Sequence, residues 1–251
     1  MALEIHKPED QRYVKTLIFG PAGHGKTFLL GTAQEDPRTY PMLLLDFEGG
    51  EETLAGLDID VARIRSWEDY NEAFELVSDE NCPYKSLGID SISETHIWGL
   101  LTRIDEKGPS RKEPDLIEQG DYGVVSTQMR RLLREFRDLP LHVFYTAGSK
   151  EVEVRKEGKV RVPSMAGQLA EEVVHLMSVV GYLAKGDDED GEEFRSLLLQ
   201  NWGGFRTKVR TKWKAVAPDE IEDPDITKLL DVLEVPMPRG RKKSTSTKEK
   251  E

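Results

Sequence analysis

Short apolar runs alternate with amphipathic stretches along the first 150 residues of the chain. Residues 13–19 (YVKTLIF) read as a strand and residues 26–33 as the helix after it. Residues 42–47 (MLLLDF) are almost continuously apolar, as in a strand buried on both faces. A short strand at 61–64 precedes an amphipathic helix over 67–77, for which Ser66 supplies the N-cap. Residues 86–89 lead into Asp90, and a helix follows through Ile104. Over 122–137, Met129, Leu132, Leu133 and Phe136 recur at helical spacing, and 141–146 (LHVFYT) return to strand. Strands alternating with helices predict right-handed crossovers and a mostly parallel sheet with helices on both faces.

Beyond residue 150 the pattern changes. EVEVRKEGKVRV alternates as a hairpin turning at Glu157-Gly158, and 168–177 form a helix. VVGYLAKG and EFRSLLLQ predict a second hairpin across the acidic turn 187–193, with FRTKVRTK as a further strand. The fold class expected is α/β with antiparallel C-terminal strands: one domain over 1–235, then a disordered basic tail over 236–251.

Composition narrows the class. The 251 residues are 37% hydrophobic and 33% charged, enough for a core at the polar end of globular proteins. Cys82 stands alone, which excludes an internal disulfide and a thiolate zinc cluster. No apolar run approaches a membrane span, and MALEIHKPEDQRYVK carries charges where a signal peptide is apolar. The expectation is a cytoplasmic protein, in the host cytoplasm if phage-encoded, with no membrane partner. The net charge of −12 argues against coating nucleic acid through bulk charge. Residues 239–251 nevertheless hold six basic and two acidic side chains, +4, so residues 1–238 carry −16. That tail reads as a solubilising end or as an electrostatic arm.

The chemistry begins at Gly20-Pro21-Ala22-Gly23-His24-Gly25-Lys26-Thr27, which fits G-x-x-x-x-G-K-[ST] between a strand and a helix. Glycines let successive N–H groups turn toward phosphates, and the helix N-terminus attracts the anion. Lys26 reaches the β/γ-phosphates and Thr27 ligates Mg²⁺, so ATP and Mg²⁺ are the cofactors expected. His24 reads as a loop residue, and Phe28 completes the nucleotide-binding set. Glu48 follows LLLDF at a strand's C-terminal end, where open α/β sheets bind ligands, and can orient a water as general base. Asp90, closing SLGID, matches a Walker-B aspartate holding Mg²⁺ through water. Glu94 lies further into the next helix and ranks below Glu48 as the base.

GPAGHGKT, LLLDFEGG, GIDSISE, QGDYG and HVFYTAGSKE, in this order, resemble the RecA/RadA core, and more closely the phage-encoded RecA-like ATPases of the Sak-four annealing type, over roughly residues 13–210. The resemblance implies a RecA-like P-loop NTPase fold, Glu48 as the water-activating glutamate and Asp90 as the magnesium aspartate. It maps two DNA-contacting loops. One covers residues 105–119 with Lys107, Arg111 and Lys112; the other covers 150–165 with Lys150, Arg155, Lys156, Lys159 and Arg161. Neither loop holds an aromatic residue for base stacking, so phosphate contacts would dominate. The γ-phosphate sensor expected after the strand, usually Gln, is replaced in the run TAGSK, where Ser149 or Lys150 could substitute. A separate N-terminal domain is not expected. Lys208 and Arg210 form a K-x-R pair of the kind that reaches a neighbouring subunit's γ-phosphate in related motors; alternating charges on an edge strand are the plain alternative.

Together these readings lead to a Mg²⁺-dependent ATPase that binds single-stranded DNA in recombination or annealing. Its expected partners are further copies of itself and a single-strand-binding or other recombination protein. A helicase or packaging motor, a nucleotide or small-molecule kinase, and a non-hydrolysing ATP-gated scaffold remain the alternatives.

Overall fold

Strands that are apolar at consecutive positions need cover on both faces. In the computed structural model, which describes residues 13–107, 113, 115–187 and 190–237, two helical layers provide it. The strands are β1 (Lys15–Phe19), β2 (Met42–Asp46), β3 (Asp60–Arg63), β4 (Ser86–Asp90), β5 (His142–Ala147), β6 (Ser149–Val154), β7 (Gly158–Pro163), β8 (Val179–Asp187), β9 (Glu193–Leu198), β10 (Lys208–Val209) and β11 (Glu220–Glu222). The main sheet runs β11-β9-β8-β1-β5-β4-β2-β3, with β10 also paired to β8. From β8 to β3 every pairing is parallel, whereas β9, β10 and β11 are antiparallel. The fold class is the one read from the sequence, α/β with antiparallel C-terminal strands; the sequence did not show that β8 both turns into β9 and extends the parallel sheet beside β1.

Alternate side chains divide the core. Leu17, Phe19, Leu43, Leu45, Leu87, Ile89, Val143 and Tyr145 face α2 (Trp67–Ser78), α3 (Ile92–Lys107), α4 (Gln119–Asp138) and α5 (Leu169–Leu176). Ile18, Met42, Leu44, Phe144 and Val179 face the other way, toward α1 (Lys26–Gly31), α6 (Thr211–Lys214) and α7 (Ile226–Val232). No helix among the described residues is long and apolar enough to cross a membrane.

Several boundaries have local causes. Ser66 Oγ accepts the Asp69 N–H at 3.1 Å, and Asp69 accepts back from Ser66 N–H at 2.9 Å, so α2 starts as its cap predicts. α3 continues to Lys107, past Ile104, and α4 starts at Gln119 rather than near Tyr122. The reason for the early start is Asp121, whose carboxylate accepts the Glu118 N–H at 2.9 Å and caps the helix. The first proposed DNA loop is accordingly shorter than residues 105–119. The strand expected at FRTKVRTK is corrected to the two residues of β10. Arg210 N–H ends it by donating to Ser178 O at 3.0 Å, and its own carbonyl then accepts from Trp213 N–H as α6 begins. α7, unforeseen in the sequence, is tied back by Arg38, which bridges Asp36 at 2.5 Å, Asp231 at 2.6 Å and Val235 O at 3.0 Å.

Two buried bases meet at the starting ends of β1 and β5. Lys15 donates to Leu139 O at 2.7 Å and also to Leu141 O, while His142 Nδ1 accepts the Val14 N–H at 3.3 Å. Burial, then the Lys15 and Arg38 charges, lower His142 from 6.5 to about 4. Burial likewise lowers Lys15 from 10.5 to about 7. Between pH 6.5 and 4 the unfolded chain therefore binds a proton that the native state refuses, and stability falls as pH falls. Urea unfolding across this window should show a His142-dependent loss of about 3 kcal/mol, and His142→Phe should flatten the slope. Above pH 7 the native state has released the Lys15 proton that the unfolded chain keeps, so stability rises with pH, and Lys15→Met should remove that rise. Profiles identical to wild type in both variants would refute this account.

Candidate nucleotide site

Parallel pairing places the C-terminal ends of β1, β5, β4 and β2 along one edge of the sheet, and the phosphate loop leaves from β1. Gly20 N–H donates to Ala147 O at 3.2 Å, and a Cβ on Gly20 would stand 2.7 Å from Leu183 O, so the loop's first position needs glycine. Gly25 takes φ +87° as the N-cap of α1, a conformation that favours glycine. Lys26 Nζ folds over the loop, donating to Pro21 O at 2.8 Å and Gly20 O at 3.2 Å. Burial lowers its pKa, against the opposing charges of Glu48 and Asp90.

Asp90 is 2% exposed. Thr27 Oγ1 donates to its Oδ2 at 2.6 Å and Thr146 Oγ1 donates to its Oδ1. Burial raises the Asp90 pKa; the two hydroxyls oppose that rise, and the charges of Glu48 and Asp46 add to it. The Asp90-Ser91 peptide is cis, and Ser91 Oγ donates to Glu48 Oε1. Glu48 stands in a turn organised by Asp46, whose Oδ1 accepts the N–H groups of Glu48 at 2.9 Å and Gly49 at 2.7 Å. Arg63 sits 3.4 Å from the other Asp46 oxygen.

These groups border a cleft of about 670 Å³, whose walls include Lys26, Thr27, Phe28, Glu48, Ser93, Gly148, Ser149, Ser164 and Arg195. The structure thus brings Pro21, Ala22, Gly23, Gly25, Lys26, Thr27, Phe28 and Glu48 to one cleft, with Asp90 bonded to Thr27 behind them, whereas Gly20 and His24 are not among its walls. Phe28 is exposed at the cleft, with the Arg195 guanidinium 5.9 Å from its ring centroid. His24 Nδ1 lies 3.2 Å from Leu183 O, as a loop residue can. Of the two sensor candidates, Ser149 lines the cleft, while Lys150 donates to Met165 O.

Lys208 and Arg210 are elsewhere. β10 pairs with the start of β8, and Val179 there is level with Thr16, far down β1 from the phosphate loop. Lys208 Nζ donates to Val174 O at 2.9 Å and His175 O at 3.1 Å, and Arg210 to Leu176 O at 3.5 Å, so the pair caps the C-terminus of α5 in its own chain. Burial, then Arg210, lowers the Lys208 pKa. In the hairpin, Lys159 pairs with Glu151 at 2.8 Å, and Glu157 with Arg206 at 3.2 Å. Arg155 and Lys156 occupy its exposed tip, and Arg161 is level with Glu151. Lys107 ends α3, while Arg111, Lys112 and residues 238–251 lie outside the described residues.

A family model described as "AAA domain" matches residues 12–211. The chain belongs to the AAA-domain family. A curated relative, the protein pelota homolog of Methanopyrus kandleri, is 29% identical over 166 residues; the match covers 63% of this chain and 43% of that protein. Among solved structures, an ATPase of the type III secretion system of pathogenic bacteria is 20% identical, over 68% of this chain and 51% of that one, with a TM-score of 0.42. The RadB recombinase is 15% identical over 74% and 79%, with a TM-score of 0.40. The flagellar accessory protein FlaH of Methanocaldococcus jannaschii is 8% identical over 85% and 87%, also at 0.40.

As an AAA domain with an intact phosphate loop, the matched domain is an ATP-hydrolysing P-loop NTPase. Sequence reasoning missed several members of its site. Asp46 had a signal in Asp46-x-x-Gly49, where a carboxylate can accept the turn's own N–H groups. Thr146, Ser93, Ser164 and Arg195 had none, because only chain folding brings them to the loop. Removing the turn's anchor should be visible: Asp46→Ala should destabilise the protein by about 2 kcal/mol and speed amide exchange at Glu48 and Gly49. Unchanged exchange at these amides would exclude the anchoring role.

Proposed function

We propose that this AAA domain is a RecA-like, Mg²⁺-dependent ATPase that binds single-stranded DNA and acts, as an oligomer, in phage-type recombination or strand annealing. The observation that carries the hydrolytic part is the convergence of Glu48, held by Ser91, with the Thr27–Asp90 pair beside Lys26. A hydroxyl and a carboxylate are hard oxygen donors, and Mg²⁺ takes such groups together with waters and phosphate oxygens. Thr27 and Asp90 therefore fit as its holders, and the ion would neutralise charge on the phosphates when bound. Lys26 exchanges its contacts to Gly20 O and Pro21 O for phosphate oxygens. Glu48 accepts a proton from the attacking water, with Ser91 fixing the carboxylate's direction.

What supports DNA binding is the hairpin. β6 leaves β5 directly after Gly148, a cleft residue, and the chain returns from β7 at Ser164, also in the cleft wall. Its tip carries Arg155 and Lys156, which make no ion pair among the described residues, and phosphates of a strand would give them partners. Lys107, Arg111 and Lys112 border a second loop on this reading, and residues 1–235 act as one ATPase unit. Lys208 and Arg210 reach a neighbour's γ-phosphate only if assembly releases them from α5.

Turnover measured with and without a dT oligonucleotide, over a salt series, tests both parts. Lys26→Ala should abolish nucleotide binding or turnover. Glu48→Gln should keep binding and lose ~10²–10⁴ in turnover. Log affinity for DNA should fall by ~0.7 per phosphate contact per decade of salt. Wild-type turnover in Glu48→Gln, or oligonucleotide binding indifferent to salt, would remove the corresponding part.

A further inference from the structure

Beside the nucleotide cleft, at the base of the hairpin, lies a second recess of about 190 Å³ whose walls include Ser93, His96, Lys150, Ser164 and Met165. It shares Ser93 and Ser164 with the cleft. His96 is only 5% exposed, and its Nε2 is buried with no hydrogen-bond partner among the described residues. A dry, unbonded polar atom is costly, and folded proteins keep few of them without a ligand, water or ion to satisfy them.

The other walls define the ligand's charge. Lys150 spends one N–H on Met165 O and has two more to give. Ser93 Oγ donates to Ser164 O at 2.8 Å and accepts the Gly148 N–H at 3.0 Å, so it is engaged as the partition between recess and cleft. No carboxylate is among the lining residues. Burial, then the Lys150 charge, lowers the His96 pKa, which leaves a neutral ring with one N–H beside an ammonium. The recess thus offers net positive charge and unspent donors to an anion.

We propose that this recess seats one phosphate group, held by the Lys150 ammonium and the His96 imidazole. The group comes either from the backbone of a bound DNA strand or from the inorganic phosphate released across the Ser93 partition. The first source rests on the DNA-binding reading above; the second does not.

The test uses the full chain carrying Lys26→Ala, which silences the phosphate loop. Millimolar sodium phosphate, compared with chloride at equal ionic strength, should raise the melting temperature by about 2–4 °C. Adding His96→Leu, or separately Lys150→Met, should remove that rise. His96→Leu removes the unbonded nitrogen, so it should melt no lower than its parent without phosphate; Lys150→Met serves if that variant fails to fold. No phosphate-dependent rise, or a rise that survives both substitutions, overturns the proposal. With that arm positive, dT-oligonucleotide binding assigns the source. A salt slope smaller by ~0.7 in His96→Leu or Lys150→Met means a strand phosphate. An unchanged slope means free phosphate. Should the wild-type chain bind no oligonucleotide at any salt, the DNA reading fails while the recess stands as a seat for free phosphate.

Discussion

A carboxylate taken out of water has to be given donors or a cation, and Asp90 is such a group at the centre of this site. Thr27 Oγ1 approaches it from the phosphate loop at 2.6 Å and Thr146 Oγ1 approaches from β5. Asp90 ends β4, Thr146 lies near the end of β5 and Thr27 sits in the first turn of α1, after the loop that leaves β1, so both bonds require β1, β5 and β4 to pair in the observed register. A one-residue slip of β5 would turn Thr146 to the opposite face and present Tyr145 or Ala147 instead. The same strand end then sets its neighbours. Asp90 O accepts the Phe47 N–H at 2.8 Å, and Ser91 takes hold of Glu48. Sheet register and the geometry of the candidate site are one constraint here.

From Asp90 the order passes outward through serines. Ser91 touches the carboxylate at the cleft, and two residues later Ser93 joins Gly148 and Ser164, the two feet of the β6–β7 hairpin. The feet are also joined directly, with Ser164 N–H donating to Gly148 O at 2.8 Å. The start of α3 therefore touches both the nucleotide cleft and the proposed DNA element. Glu48 is thus joined to the hairpin base by its hydrogen bond from Ser91, two residues of chain and the hydrogen bonds of Ser93, without a route through the sheet.

Charge placement follows a similar economy. A net charge of −12 disfavours binding nucleic acid over the whole surface, while the hairpin concentrates basic side chains at one point. Its Lys159–Glu151 and Glu157–Arg206 pairs are solvent-exposed and each adds little stability, so they hold the hairpin's shape without fixing its fold. Lys208 and Arg210 illustrate the opposite case. The same K-x-R spacing that suits a phosphate also suits the bare carbonyls at a helix C-terminus, and in this chain the carbonyls are adjacent.

The strand–helix alternation, the phosphate loop, the Ser66 cap and the hairpin turn at Glu157-Gly158 were all legible in the sequence. Each depends on residues a few positions apart, whose spacing and backbone preferences act before the chain closes. Asp90 and Glu48 were legible because each follows an apolar run at a strand's exit, where parallel sheets gather ligands. The early start of α4 and the brevity of β10 turn on single hydrogen bonds that propensity does not weigh. Tertiary structure alone decided that β8 lies parallel to β1, that Thr146 meets Asp90 and that Arg195 meets Phe28. It also decided that Arg38 binds α7 and that Lys208 caps α5. These partners lie between 33 and 197 positions apart in the chain, and a sequence records no distance across such loops. Which groups meet there is settled by the packing of two helical layers on one twisted sheet.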